Sequence, residues 1–119
     1  MLLILGGCLS AGAQDKDKPT LVMFSAEWCR PCRYMKEKVL ERSAVKKALE
    51  DFNVLVIDVD QEEGKNQAEI FRPAGFTGGI PFFVLLDKDG NVISTMAGSH
   101  NKTQHFLDFL NQAKPVSRK

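Results

Sequence analysis

Cysteine is scarce in this chain: only Cys8, Cys29 and Cys32 carry a thiol. Three are too few for a disulfide scaffold, and no second pair exists to complete a four-cysteine zinc site. Histidine is scarcer still. His100 and His105 lie five residues apart near the C-terminus, so a mixed cysteine–histidine metal site would have few ligands to draw on. Neither sign of charge is in surplus: 16 Lys/Arg against 15 Asp/Glu leave a net +1, with the two signs interspersed. That balance argues against a surface built for nucleic acid or for an anionic membrane. No apolar run is long enough to cross a bilayer as a helix, and no internal repeat is present.

What remains is the composition of one ordinary globular domain, 44% hydrophobic and 26% charged over 119 residues, large enough to bury a core without covalent staples. The opening "MLLILGGCLSAGAQ" stands apart from it. Residues 1–13 carry no charge, begin with large apolar side chains and finish in small ones, which is the anatomy of an export signal. Ala11-Gly12-Ala13 forms an A-x-A cleavage site that would leave Gln14 as the mature N-terminus. Leu5-Gly6-Gly7-Cys8 resembles a bacterial lipobox, in which Cys8 would be lipidated. The expected organisation is an export signal over 1–13, a charged linker over 14–19, one folded domain over 20–113 and a disordered tail over 114–119.

Within the domain, "TLVMFSA" (20–26) is a continuous apolar run with β-branched and aromatic residues and predicts a buried strand. From Pro31 to Glu50 the apolar residues fall at helical spacing, with Ser43 expected to cap a second segment. "NVLVIDVD" (53–60) predicts another buried strand. Residues 61–75 hold a short helix that should end before Pro73. Two apolar runs within 81–98 meet at Asp89-Gly90, a hairpin signal, and 102–113 form a closing amphipathic helix. The order β-α-β-α-β-β-α predicts two crossings between parallel neighbours and an antiparallel edge hairpin. The result is an α/β fold: a central mixed four-stranded sheet with helices on both faces.

The stretch "EWCRPCRYM" (27–35) carries the chemistry. Cys29 falls where the first strand ends and a helix begins, a position that offers unpaired N–H groups and the positive end of the helix dipole to a thiolate. Arg30 adds a positive charge beside it. Pro31 fits the first helical turn, where its missing N–H costs nothing. Cys32 lies one turn on, within reach of a disulfide with Cys29. Three readings of the pair stand at this point: a redox couple, half of a metal site, or two inert buried thiols. A second informative stretch is "GGIPFF" (78–83), where Ile80-Pro81 precedes a strand. A cis bond there would turn the Ile80 backbone towards Cys29, while a trans bond would leave an ordinary loop.

Taken together, "AEWCRPC", "GGIP" before "FFVLL", the "DKDG" hairpin and the last helix resemble a thioredoxin-fold protein over residues 20–113. The broken helix in "MKEKVLERSAVKKALEDFNVLVIDVD" is similar to the C-terminal domain of the bacterial transmembrane disulfide reductase and to small exported thioredoxin-like proteins. The resemblance implies a minimal version of the fold with Cys29 as exposed nucleophile and Cys32 as buried resolving thiol. It implies Trp28 as an apolar lip, Pro81 as a cis-proline, and an Ile80 backbone that bonds an extended substrate. The sequence departs from the family at the buried acid six positions before the first cysteine, which is Met23 here, and at its lysine companion, here Val56. Loss of both is coherent if a lone buried lysine would be costly. Glu27 is then the carboxylate nearest in sequence to act as proton acceptor.

The function expected is that of an exported, periplasmic-type thiol–disulfide oxidoreductase that reduces protein disulfides by a Cys29–Cys32 dithiol/disulfide cycle. It should need no cofactor and no metal. Its partners would be protein disulfides and a thiol donor that re-reduces the pair, with the chain a monomer and membrane contact arising only through a lipidated Cys8. The competing classes are a thioredoxin-fold binding or chaperone module without redox turnover, and soft-metal delivery through the C-x-x-C.

Overall fold

In the computed structural model of the chain, which describes residues 15–113, the run Thr20–Ser25 forms the first strand, β1. Every residue from Leu21 to Ser25 is buried, because β1 is an interior strand with packed side chains on both of its faces. The chain continues through α1 (Arg30–Tyr34), a π-helical turn (Met35–Val39), α2 (Ser43–Leu49), β2 (Asn53–Asp58) and α3 (Glu62–Ile70). A 3₁₀ turn (Arg72–Ala74), β3 (Phe82–Leu86), β4 (Val92–Ala97) and α4 (Thr103–Asn111) complete it. The sheet order is β2-β1-β3-β4, with β2 parallel to β1 and the other pairs antiparallel. This is the mixed four-stranded sheet expected from the element order. The proposed signal over 1–13, including Cys8, and the tail over 114–119 lie outside the described residues.

Alternation along β1 divides the core in two. Leu21 and Met23 join Cys29, Cys32, Met35 and Phe106 on the face covered by α1, α2 and α4. Val22 and Phe24 join Phe76, Phe82 and Val84 on the opposite face, towards α3. Aromatic contacts close both layers. Phe24 stacks on Phe76 with ring centroids 4.7 Å apart, and Phe83 meets Phe106 edge-on at 5.3 Å, contacts worth about 1 kcal/mol each beyond their buried area.

Three local expectations need correction. The second crossing does not join parallel neighbours: β3 runs antiparallel to β1. After α3 the chain turns through Arg72–Ala74, where Gly75 supplies the left-handed φ of 112° that ends the 3₁₀ turn. It then returns to the end of the sheet where β2 finished. Second, β2 is not buried. It is an outer strand of the described sheet, and Val54, Leu55 and Val56 are 44, 39 and 45% exposed. Third, Ser43 does not cap α2. The cap is Arg42, which makes no side-chain capping bond and directs its guanidinium to Asn101 and Thr103. Before β1, residues 15–18 are held against the domain, since Asp15 and Asn53 exchange two hydrogen bonds of 2.8 Å.

Candidate active site

The strand register gathers four connections along one rim of the sheet. Ser25 at the end of β1 partners Asp58 at the end of β2. Phe24 partners Phe82 at the start of β3, and Phe82 partners Ala97 at the end of β4. The loop after β2, the β1–α1 corner, the turn before β3 and the loop after β4 therefore emerge side by side, in sheet order.

At the corner, Cys29 is the N-cap of α1, with extended backbone angles, and its Sγ accepts the Cys32 N–H at 3.2 Å. The Cys29 N–H donates to the Ala26 carbonyl at 3.2 Å, and its carbonyl accepts from the Arg33 N–H at 3.1 Å, so the corner is fixed on both sides of the sulfur. Pro31 occupies the first helical turn without breaking a bond. Cys29 and Cys32 are joined as a disulfide, with Cα atoms 5.2 Å apart. Cys29 is not the exposed residue expected. It is 3% accessible and Cys32 is fully buried, with the Cys29 sulfur at the start of the helix and bonded to Cys32. The exposed collar around the pair consists of Trp28, Arg30 and Pro31.

Trp28 is 67% exposed, yet its indole is oriented: Nε1–H donates to Asp60 Oδ2 at 2.7 Å. Asp60 is in turn presented by its own N–H, which donates to Asp58 Oδ1 at 2.8 Å. Sequence reasoning missed Asp60, for which the one local signal was the Asp-Val-Asp ending of the β2 stretch. Glu27 is exposed, and its contact at the corner is made by its carbonyl, which accepts from the Arg33 guanidinium at 2.6 Å.

Facing the corner, the Ile80–Pro81 peptide bond is cis. Pro81 is buried and its carbonyl accepts the Gly98 N–H at 2.9 Å, which ties the turn to the loop after β4. Ile80 packs against both core layers. At Gly79 nothing lies within 4 Å of where a Cβ would stand, so the outer side of the turn is open to an approaching chain.

Beneath the pair, Met23 is fully buried and is the register partner of Val56. Because Val56 is 45% exposed, a lysine there would reach water, and the cost of burying a lone lysine does not explain its absence. The burial argument holds for position 23 alone. Ser25 is the buried polar residue of the described chain, and its Oγ has no hydrogen-bond partner there. His100 and His105 stack on each other with centroids 4.6 Å apart. Among the described residues no group of three or more His, Cys, Asp or Glu could hold a metal ion, and no helix is long and apolar enough to cross a membrane.

Comparison with known proteins agrees with this geometry. The Thioredoxin-like family matches residues 9–88. The chain is 34% identical over 97 residues to the chloroplastic thioredoxin-like protein HCF164 of rice (Oryza sativa subsp. japonica), which aligns 81% of this chain with 34% of that one. It therefore spans about a third of the length of that relative. It is 36% identical over 93 residues to a thioredoxin of Mycolicibacterium smegmatis, covering 78% of this chain and 77% of that one. Among solved structures it superposes on the oxidised C-terminal domain of DsbD from Neisseria meningitidis with a TM-score of 0.64 and 25% identity, covering 83% of each chain. A family match over most of the chain, with relatives of this identity, places the protein in the thioredoxin-like family.

Proposed function

We propose that the protein is an exported reductase of protein disulfides in which Cys29 attacks and Cys32 resolves. In the reduced form, the Cys29 thiolate attacks one sulfur of a substrate disulfide, forming a mixed disulfide and expelling the other substrate sulfur as a thiolate. The Cys32 thiolate then attacks Cys29 Sγ. This forms the intramolecular disulfide and releases the second substrate thiolate, so two electrons pass to the substrate. A thiol donor must return them before the next cycle. The observation that carries this reading is the hydrogen bond from the Cys32 N–H to Cys29 Sγ at the helix start, a donor that binds a thiolate more strongly than a thiol. Arg30 beside it works in the same direction. Trp28, held by Asp60, would form one lip, and an extended substrate would lie along the Ile80 backbone by strand addition.

The reducing direction rests on the likeness of Cys-Arg-Pro-Cys to the reducing members of the family. Export rests on residues 1–13, with cleavage after Ala13 or lipidation of Cys8 as its two forms; the mass of the native N-terminus separates them. The function itself is tested by titrating the Cys29–Cys32 couple against a glutathione or dithiothreitol buffer with thiol alkylation as readout. A potential near the roughly −270 mV of thioredoxin supports a reductase, and one near the roughly −120 mV of a strong periplasmic oxidant overturns the direction. Absence of a reversible two-electron couple would leave a binding module in place of an enzyme. Cys32→Ser should accumulate mixed disulfides with substrate, and Cys29→Ser should not.

A further inference from the structure

The rim continues past the cis-proline turn. Where β4 gives way to α4 there is an open cleft of about 690 Å³ lined by Tyr34, by the loop carrying His100 and Lys102, and by His105. The cleft is attached to the supports of the redox pair. Gly98 N–H holds the Pro81 carbonyl at 2.9 Å. His100 N–H donates to Met35 Sδ at 3.4 Å, and Met35 packs in the same core layer as Cys29 and Cys32. In sheet order, the cleft lies on the opposite side of the cysteines from Trp28 and Asp60.

The formal charge on its lining is of one sign. No acidic residue lines it, and Lys102 contributes an ammonium. Behind it the Arg42 guanidinium donates to the Asn101 carbonyl at 2.5 Å, to Thr103 Oγ1 at 3.0 Å and to Tyr34 Oη at 3.4 Å. A phenol that accepts from a guanidinium keeps its own proton to donate, and the Tyr34 side chain stands at the surface. His100 Nε2 lies 3.0 Å from the Ala97 carbonyl, a contact that fixes the ring against the end of β4. The two imidazoles are nearly parallel, 17° apart, an arrangement that does not converge two nitrogens on one metal ion. At the other end of the rim, Asp58, Asp60, Glu62 and Glu63 follow one another closely. The rim is therefore negative beside Trp28 and positive beside His100.

We propose that this cleft is a specificity subsite that takes a carboxylate side chain of the substrate polypeptide, making disulfides flanked on one side by Asp or Glu the preferred substrates. The proposal rests on the reductase reading given above. From the end of β1 to the end of β4 is two strand spacings, about 10 Å, which an extended chain covers in about three residues. A substrate segment lying along Ile80 with its sulfur at Cys29 thus brings the side chain about three positions away over Lys102 and the histidines.

The test uses the full chain, pre-reduced, and short amidated peptides whose single cysteine is capped as a disulfide with thiopyridine. Glu, Gln or Lys stands three residues to either side of that cysteine. The expected result is a second-order rate constant about 3- to 10-fold higher for Glu than for Gln, on one side only, with Lys slower than both. The advantage should shrink towards unity at 0.5 M salt and vanish in Lys102→Glu and in the double variant His100→Gln/His105→Gln. Hydroxyethyl disulfide, small and neutral, should react equally with all forms of the protein. Equal rates for the three peptides, with reduction intact, overturn the subsite and leave the reductase standing. Variants that slow the neutral disulfide as well assign these residues to structure and also overturn it. Failure to reduce any disulfide removes the reductase reading itself. A peptide whose one carboxylate is a free C-terminus at that position would, if fastest of all, reassign the cleft to chain ends.

Discussion

Gly64 sets helix propensity against packing. It lies in the first turns of α3, is buried, and in an isolated helix its replacement by alanine would gain about 1 kcal/mol. Here an added Cβ would overlap the Asp58 carbonyl group and come within 3.2 Å of Ile57 Cγ2. The overlapped atoms belong to the backbone at the end of β2 and cannot rotate away, so the helix or the strand end must move. Overpacking of this kind costs about 1–3 kcal/mol, and overlap with backbone puts Gly64→Ala at the upper end of that range. Against the propensity gain, the net loss is about 1–2 kcal/mol, and each kcal/mol lowers the melting temperature by roughly 4–8 °C in a domain of this size. The shift is also readable at the site. Asp60 hangs from Asp58 and holds Trp28, so native emission from this single tryptophan should change. Urea unfolding should show a lower midpoint at unchanged slope. Gly79→Ala, where a Cβ meets nothing within 4 Å, should stay within about 0.5 kcal/mol of the parent. A Gly64→Ala protein as stable as the parent, with unaltered tryptophan emission, would falsify the close approach of α3 to β2.

Three further outcomes are expected. Ser25→Ala removes a buried hydroxyl without a partner among the described residues and should raise stability by about 1 kcal/mol; destabilisation in urea melts would show that the hydroxyl is bonded. In the β3–β4 hairpin, the Asn91 N–H above all holds the Asp87 carboxyl below the usual carboxylate range, with N–H groups of Asp89 and Asn91 each 2.9 Å from Oδ1. A depressed folded-state pKa stabilises above the unfolded value and loses that effect as pH falls through the folded one. Asp87→Ala should therefore melt earlier than the parent at pH 7, and the gap should close below about pH 4; a gap of equal size at pH 2.5 contradicts this. Leu55→Lys places a charge on the half-exposed outer strand β2. It should lower concentration-dependent association in sedimentation experiments while changing stability by less than about 1 kcal/mol, and a larger loss would mean that the strand is covered.

The residues legible in advance are those whose chemistry is local. Cys29, Pro31 and Cys32 lie within one helical turn, and Pro81 breaks the chain where a strand begins. Composition told less about neighbours. "TLVMFS" and "NVLVID" read alike as buried strands, yet β1 is interior and β2 is on the outside, a difference decided by strand order, which no local pattern encodes. Asp60 and the Tyr34–His100–His105 cleft were missed for the same reason: they meet the cysteines only through the register of four strands. Strand order also bears on where the Cys32 proton goes. Met23 lies beneath the pair, and Ser25 is the one buried polar residue of the described chain. No buried carboxylate therefore stands among the described residues to receive that proton, and introducing one at Met23 would cost several kcal/mol with no buried cation to offset it. On the reductase reading the acceptor is then water or a carboxylate of the rim, where Glu27 and Asp60 are both exposed and Asp60 Oδ2 accepts from the Trp28 indole.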